Sequence, residues 1–550
     1  MPRSARPLVA LATTTLTVAV LSLAACSSGS TDSGAAGSSA SDGTPAARPS
    51  ATVALMSAAA PVAERKRRGR LGGLTQAEEF NTEAYDRIDE NAFLNPAEAA
   101  LSTFSIDVDT ASYANVRRFL VDGALPPPDA VRIEEMLNYF SYTYPEPEGD
   151  VPFSVTTEVA GCPWQDEHRL VRIGLQARHI DNKDVPARNL VFLLDVSGSM
   201  ASADRLGLLK RALPLLVDNL RAQDSVSIVV YAGASGVVLR PTEGTDGATI
   251  RAAISRLSAG GSTNGGEGIQ LAYSLARENF REGAINRVIL GTDGDFNVGV
   301  TNRGALTRLI EKEREDGIFL TVLGFGRGNL QDSKMEELAD RGNGNYHYID
   351  SISEARKVLV HEAGGTLITV AKDVKIQVEF NPAHVAAYRL IGYENRMLEA
   401  RDFNDDKKDA GEIGAGHSVT ALYEIVPPGA STLEKDVDDL RYQTGRTPTP
   451  AANSDELMTV KLRYKQPRGT ESKLISYAVR DTGSAWQAAS GDFRFAASVA
   501  AFGMVLRKSE HRGGADYDMV RTLARDALGQ DTHGYRAEFV KLVAYAASTQ

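Results

Sequence analysis

The stretch Asp195-Val196-Ser197-Gly198-Ser199 directly follows the apolar run Leu190 to Leu194. A short continuous apolar run is typical of a buried strand, and the polar residues after it mark the carboxyl end of that strand. The two serines alternate from the aspartate, and the glycine between them permits a tight turn that directs all three side chains to one point. Hard oxygen ligands suit Mg²⁺, so the stretch predicts a divalent metal site.

Two downstream segments supply candidates to complete this site. They are Gly260-Gly261-Ser262-Thr263-Asn264, which contains Thr263, and Leu290-Gly291-Thr292-Asp293-Gly294, which contains Asp293. Together with the first stretch, they resemble the metal-ion-dependent adhesion site of a von Willebrand factor type A (VWA) domain. The resemblance implies that the two serines and the threonine bind the metal closely, while Asp195 and Asp293 complete or support the site. The implied ion is Mg²⁺, with Mn²⁺ or Ca²⁺ as alternatives.

Strands and helices alternate on both sides of these segments. Helix Arg205 to Ala222, strand Ser225 to Tyr231 and strand Arg287 to Gly291 are examples of the pattern. Such alternation predicts an α/β unit with a doubly wound, mostly parallel sheet and helices on both faces. Ligands of these sheets bind at the carboxyl ends of the strands, where Asp195 and Asp293 both fall.

Strand patterns without helices flank the α/β unit. Phe153 to Val159 and Leu170 to Ala177 precede it, and Val374 to Phe380 and Val419 to Val426 are among the strands that follow it. We therefore expect both flanks to form one β-sandwich into which the VWA domain is inserted. The polar loop Arg401 to Gly416, which contains an incomplete EF-hand pattern at Asp402 to Asp406, is expected to be exposed.

Helical patterns lie outside the sandwich strands. Ala111 to Val121, after a capping signal at Asp109-Thr110, and Val131 to Phe140 are predicted helices, and a small helical module is expected at the C-terminal end. The expected divisions are 1–25 signal peptide, 26–77 disordered tether, 78–150 N-terminal helical region, 151–188 strands of the flanking β-region, 189–364 VWA domain, 365–485 β-rich region and 486–550 helical C-terminal region.

The first residues resemble a bacterial lipoprotein signal. Arg3 and Arg6 precede a mostly apolar segment, and Leu23-Ala24-Ala25-Cys26 follows it. The resemblance implies export, lipidation of Cys26 and a membrane anchor, either in the cell membrane or in the outer membrane, with the protein facing outside the cytoplasm. The Ser, Gly and Ala-rich residues after Cys26 predict a flexible tether.

Composition narrows the function classes. The 550 residues carry a net charge of −11, which argues against a nucleic-acid binder because phosphate recognition needs a cationic face. The sequence contains two cysteines, Cys26 and Cys162. Lipidation of Cys26 would leave Cys162 alone, so no intramolecular disulfide is expected. We interpret Cys162 as a buried small apolar residue.

The arrangement of signal, tether, VWA domain and extra terminal regions resembles a group of uncharacterised bacterial VWA-domain lipoproteins. The resemblance implies a protein partner that offers an acidic side chain to the metal, in adhesion or in the assembly of an envelope complex. No small-molecule substrate and no catalytic set is expected. The alternatives are an envelope hydrolase with the VWA domain as an accessory module, and a scaffold whose metal is purely structural.

Overall fold

The computed structural model describes residues 83–181, 183–294, 296, 303–363, 367–430 and 448–549. The expected signal peptide, the tether and the lipidation residue Cys26 lie outside the described residues. Among the residues that the structure does describe, no helix is both long enough and apolar enough to cross a membrane.

The elements fall into three successive parts of the chain. The first part contains β1 (Leu101–Ser105), α1 (Ala111–Val121), α2 (Ile133–Asn138), β2 (Phe153–Cys162) and β3 (Gln165–Ala177). The second contains β4 (Arg188–Asp195), α3 (Leu206–Val217), β5 (Ser225–Tyr231), β6 (Ser235–Glu243), α4 (Gly247–Ser255), α5 (Gly265–Glu278), β7 (Ile285–Thr292), α6 (Arg303–Glu315), β8 (Ile318–Phe325), α7 (Asp332–Arg341), β9 (Tyr346–Ile349) and α8 (Ile352–Arg356). The third contains β10 (Thr369–Phe380), β11 (Ala387–Ile391), β12 (Gly411–Gly414), β13 (Ser418–Val426), β14 (Glu456–Lys465), β15 (Ser472–Arg480), α9 (Gly491–Arg507), α10 (Tyr517–Asp526) and α11 (Tyr535–Ser548).

The second part is the predicted doubly wound α/β unit. Its sheet has the order β6-β5-β4-β7-β8-β9, in which β6 alone pairs antiparallel. Strand β4 is buried along its whole length, with Leu190 and Phe192 packed among α3 and α4, and Val191 and Leu193 packed against α5. Alternate residues of a strand point to opposite faces, so helices cover both sides of the sheet and the predicted fold class is confirmed.

The flanking strands form two antiparallel sheets around one apolar core. One sheet has the order β11-β13-β3-β2, and the other contains β1, β10, β14 and β15 with β12 paired to β10. Strand β3 precedes the α/β unit and β13 follows it, yet Ile173 pairs with Ala421 and Leu175 with Val419. Apolar residues of both sheets share a core, so the α/β unit is inserted into a sandwich, as the sequence pattern predicts.

Two strands depart from the expectations. The N-terminal region includes β1, where Phe104 pairs with Ile376 of β10, while the hydroxyl of Ser102 accepts a hydrogen bond from Tyr423 at 2.9 Å. Its buried serines and threonine give no apolar alternation, so no strand is predictable from that segment. The loop expected to be fully exposed contains β12, in which Ile413 is buried against the sandwich core.

The terminal helices belong to one common core rather than to two modules. Helix α9 is buried on nearly all sides and packs with α2, α10 and α11. At Gly503, a Cβ atom would lie 2.7 Å from Cγ1 of Ile133, so glycine permits the close approach of α9 to α2. Helix α2 contributes Met136 and Leu137 to the same core, which therefore joins the two ends of the described chain.

Buried ion pairs connect the inserted α/β unit to its surroundings. The guanidinium of Arg117, on α1, donates to Asp350 at 2.5 Å and to Glu354 at 2.7 Å, and it also contacts Glu538 of α11. Arg132 contacts Asp332 at the start of α7. An unpaired charge would be costly in such a buried place, so these pairs define one orientation of the unit relative to the helices.

Candidate metal centre

Strand β4 ends at Asp195, and the chain turns immediately after it. The carboxylate is fully buried. Its Oδ1 accepts the N–H of Ser197 at 2.8 Å, and its Oδ2 accepts the hydroxyl of Thr292 at 3.3 Å. These two bonds fix the aspartate at the carboxyl end of the sheet and close the tight turn that carries the serines.

The serine hydroxyls of this turn converge. Oγ of Ser197 and Oγ of Ser199 lie 3.0 Å apart. Ser197 is buried, whereas Ser199 is partly exposed, so the pair lies at the edge of the solvent-accessible surface. Both oxygens belong to the turn that Asp195 anchors. The alternation of aspartate and serines predicts that these side chains point to one place.

The loop that contains Thr263 is joined to this turn by main-chain hydrogen bonds. Gly198 N–H donates to Gly261 O at 3.0 Å, and Gly260 N–H donates to Val196 O at 2.8 Å. Gly261 has a φ of +86°, a conformation that glycine adopts without strain. Thr263 follows two residues later, is partly buried, and lies just before the start of α5.

Asp293 directly follows β7, the parallel neighbour of β4. The residue is 1% exposed, and its Oδ2 lies 3.3 Å from Nδ2 of Asn329 and 3.3 Å from Nη1 of Arg205. Burial, together with the nearby Asp293 carboxylate, raises the pKa of Asp195 to about 6. Two adjacent strands thus bring two carboxylates to the same edge of the sheet, as predicted.

Besides Asn329, three further side chains at this edge were not identified from the sequence. Thr292 binds Asp195 directly, and Tyr231 is the residue that pairs with Asp195 on neighbouring β5. Burial and the Asp195 carboxylate raise the pKa of the Tyr231 hydroxyl. Arg205 comes from the end of the same loop as the serines. Of these side chains, only Thr292 could have been proposed from the sequence, because it directly precedes the candidate ligand Asp293.

The donor set fits a hard divalent cation. It combines buried carboxylates with two hydroxyl oxygens 3.0 Å apart, and none of these groups is a soft ligand. Asp195, Ser197, Ser199, Thr263 and Asp293 are the residues that could hold the ion. Occupation by a metal stays a prediction.

Two other carboxylate groups in the described part of the chain have cationic side chains as partners. Asp107, Glu135 and Glu336 lie together, but Arg132 and Arg396 contact them. In a second group, Asp373 pairs with Lys465 and Asp409 with Arg314, both near Glu412.

The EF-hand-like segment and the aspartates before α1 have structural roles. The ammonium of Lys375 donates to the carbonyls of Asp402 at 3.1 Å and Asp405 at 2.5 Å, so a lysine provides the positive charge in that loop. Asp107 accepts the N–H of Asp109 at 2.9 Å, and Asp109 accepts the N–H of Tyr346 at 2.8 Å. Asp107 thus closes a local turn, whereas Asp109 contacts β9, 237 positions away, and Thr110 of the predicted capping signal makes no side-chain capping bond.

Comparisons with known proteins follow the same division of the chain. The family model described as von Willebrand factor type A domain matches residues 189–360, and one described as von Willebrand factor matches residues 79–172. A model described as the C-terminal region of the uncharacterized protein YfbK matches residues 365–549. The uncharacterized protein YfbK of Escherichia coli (strain K12) is 45% identical over 472 residues, which cover 84% of this chain and 81% of YfbK.

The chain belongs to the YfbK family. This relationship covers the α/β unit and both of its flanks, so the similarity to YfbK is not confined to the VWA domain.

More distant relatives match shorter parts of the YfbK-family chain. The uncharacterized protein sll0103 of Synechocystis is 31% identical over 36% of this chain and 45% of its own length. Inter-alpha-trypsin inhibitor heavy chain H4 of Homo sapiens is 29% identical over 25% of this chain and 16% of its own length. The chain thus spans less than half of each of these two proteins. The solved von Willebrand factor type A structure from Catenulispora acidiphila has 17% identity and a TM-score of 0.37, over 72% of this chain and 91% of that chain.

Proposed function

We propose that this YfbK-family protein is a cell-envelope lipoprotein that binds a protein partner through a Mg²⁺ ion on its VWA domain. The observation that carries the proposal is the convergence of the Ser197 and Ser199 hydroxyls, 3.0 Å apart, beside the buried Asp195 at the carboxyl end of β4. Thr263 and Asp293 complete the proposed ligand set from two adjacent loops.

The charge of the site favours recognition of an acidic group. Asp195 and Asp293 are its two carboxylates, and Arg205 lies 3.3 Å from one oxygen of Asp293. Hydroxyl ligands are neutral and Arg205 offsets part of the negative charge of Asp293, so the positive charge of a bound ion is incompletely balanced by the protein. A glutamate or aspartate of the partner would provide the additional negative oxygen.

Anchoring to a membrane is proposed from the sequence alone. Leu23-Ala24-Ala25-Cys26 is the motif that supports lipidation of Cys26, and the polar residues after it support a tether. A lipid-anchored protein outside the cytoplasm would present its metal face to other envelope proteins.

The test is capture of envelope proteins by the full-length protein from detergent extracts, in Mg²⁺ and in EDTA. The variant is Asp195→Ala, and the matched control is Glu282→Ala, an exposed carboxylate just before β7 at the opposite end of the sheet. We expect EDTA and Asp195→Ala to remove the same captured protein, while Glu282→Ala retains it. Capture that persists in EDTA contradicts the proposal.

Melting measured with and without Mg²⁺ separates the alternative of a structural metal. A Mg²⁺-dependent rise in melting temperature, combined with capture that is equal in Asp195→Ala and wild type, would show that the ion stabilises the domain without contacting a partner. Binding of Mg²⁺ is measured by isothermal titration calorimetry on the same samples.

A further inference from the structure

Arg205 is a cationic side chain that the structure places against a candidate ligand of the metal. Its Nη1 donates to Ser199 O at 2.6 Å and lies 3.3 Å from Oδ2 of Asp293. Its Nη2 donates to the carbonyl of Arg327, in the loop that follows β8. One guanidinium therefore contacts three of the loops at the carboxyl end of the sheet.

The protein contains a specific slot for this side chain. Arg205 is 8% exposed, and its aliphatic part passes directly over Gly326. A Cβ atom at Gly326 would lie 2.2 Å from Cγ of Arg205, and the φ of Gly326 is +78°. Any side chain at that position would displace the arginine, so the loop after β8 and the guanidinium are matched to each other.

Asn329 comes from the same loop and contacts the same carboxylate oxygen. Its Nδ2 donates to Oδ2 of Asp293 at 3.3 Å. Two donors from outside the proposed ligand set thus act on one atom of Asp293. An oxygen held in this way is directed toward the donors, and the carboxylate has a defined orientation before any ion binds.

We propose that Arg205 is a positioning residue that orients Asp293 and reduces the negative charge of the metal site. The inference rests on the proposed metal site and adds to it a reason for its selectivity toward acidic partners. With Arg205 present, the two carboxylates are partly balanced before the ion arrives. The protein then holds the ion less tightly, and the loaded site keeps a net positive charge that attracts a carboxylate.

Two roles of the arginine have different consequences. If Arg205 only filled the slot over Gly326, its removal would loosen the loops and weaken metal binding. If it draws an oxygen of Asp293 toward itself and offsets charge, its removal frees the carboxylate for the ion and strengthens the binding of a bare cation. The sign of the change in metal affinity therefore distinguishes the two roles.

The experiment measures binding of Mn²⁺ alone to the full-length protein, with free Mn²⁺ followed by electron paramagnetic resonance. The variants are Arg205→Met, Arg205→Lys, Asp293→Asn and the double variant Arg205→Met with Asp293→Asn. We expect Arg205→Met to bind Mn²⁺ about tenfold more tightly than wild type, because a nearby positive charge has been removed. Arg205→Lys keeps the charge and should stay within about threefold of wild type.

The double variant tests whether the effect passes through Asp293. In the Asp293→Asn background, we expect the gain from Arg205→Met to shrink to about threefold or less, since the carboxylate that the arginine orients is gone. An equal gain in both backgrounds would mean a general charge effect and would overturn the positioning role. Unchanged or weaker binding in Arg205→Met would overturn the whole inference.

Melting curves for every variant identify loss of fold. If Arg205→Met does not fold, Arg205→Gln is the second neutral variant, and the same increase in affinity is expected of it. A wild-type protein that binds no Mn²⁺ overturns the proposed metal site, and this inference with it. Binding by wild type without any increase in either neutral variant overturns the inference alone.

Discussion

Glu83 accepts a hydrogen bond from the N–H of Gly328 at 2.7 Å, across 245 positions of the sequence. The same carboxylate pairs with Arg118 of α1 at 2.9 Å. The next residue, Ala84, forms a parallel bridge with Gln331. The segment that begins at Glu83 is therefore bonded to the loop that carries Asn329 and, through it, to the candidate metal site.

Replacing Glu83 with alanine is expected to destabilise the fold. The change removes the carboxylate that accepts hydrogen bonds from Gly328 and Arg118, and it leaves the buried Arg118 guanidinium poorly paired. We expect the free energy of unfolding to fall by about 1–3 kcal/mol. Urea unfolding of Glu83→Ala measures the loss, and Glu98→Ala, at an exposed carboxylate before β1, is the control. Equal stability of the two variants would contradict a role for the Glu83 contacts.

The same contacts predict how this stabilisation depends on pH. Burial alone would raise the pKa of Glu83, but the hydrogen bonds from Arg118 and Gly328 outweigh it and lower the pKa below its ordinary 4.5. The contribution is therefore fully present above that value and is lost as the pH falls through the lowered pKa. The difference in stability between wild type and Glu83→Ala should accordingly narrow only in acid.

Glu134 should show the opposite dependence on pH. Burial and the charge of Glu394 raise its pKa to about 7, so the folded protein binds this proton more strongly than the unfolded chain. The contribution of Glu134 to stability should fall as the pH rises from about 4.5 to 7, and Glu134→Gln should gain roughly 2–3 kcal/mol relative to wild type between pH 5 and pH 8. Urea unfolding at both pH values measures this difference, and a constant difference would refute the assignment.

Loss of one serine hydroxyl should weaken metal binding without unfolding the domain. Ser199→Ala removes an oxygen 3.0 Å from that of Ser197, and we expect at least about a tenfold fall in Mg²⁺ affinity by calorimetry. Ser255→Ala is the control, because its exposed hydroxyl bonds only within α4, to Ala252 O at 2.9 Å. Identical affinities in the two variants would remove Ser199 from the ligand set.

The close packing of the shared helical core predicts that alanine destabilises the protein strongly at one glycine of α9 and weakly at another. A Cβ at Gly503 would lie 2.7 Å from Ile133, whereas a Cβ at Gly491 meets nothing within 4 Å. Gly503→Ala should therefore be less stable than Gly491→Ala by about 1–3 kcal/mol, because the core is overpacked. Thermal unfolding of both variants tests the close contact between α9 and α2.

Much of the fold could be predicted because the relevant patterns are local. Strand β5 and helix α1 have the boundaries that their sequence patterns predict, although Thr110 makes no side-chain capping bond to α1. Helix α8 ends at Arg356, where the chain continues as a π-helical turn from Lys357 to His361. Strand β1 was missed because its interior residues are mostly small and polar, and its hydrogen bonds come from β10.

The candidate metal site likewise contains residues that the sequence predicts and residues that it does not. The predicted residues Asp195 and Asp293 lie at the ends of adjacent parallel strands, so their common edge follows from strand order. Arg205 could not be identified, because its contact with the carbonyl of Arg327 spans 122 positions. A lone arginine after a turn has no spacing that distinguishes it from a solvated surface residue.

By itself, the sequence determined the local chemistry: a buried strand that ends in an aspartate and two alternating serines, the α/β alternation around it, and the strands on either side. The tertiary structure alone decided that the two ends of the described chain share one helical core, and that Arg205 and Asn329 reach Asp293. The physical reason is that residue type and periodicity act over a few positions. Packing and ion pairing depend on which distant segments become neighbours, and only the folding of the whole chain determines those neighbours.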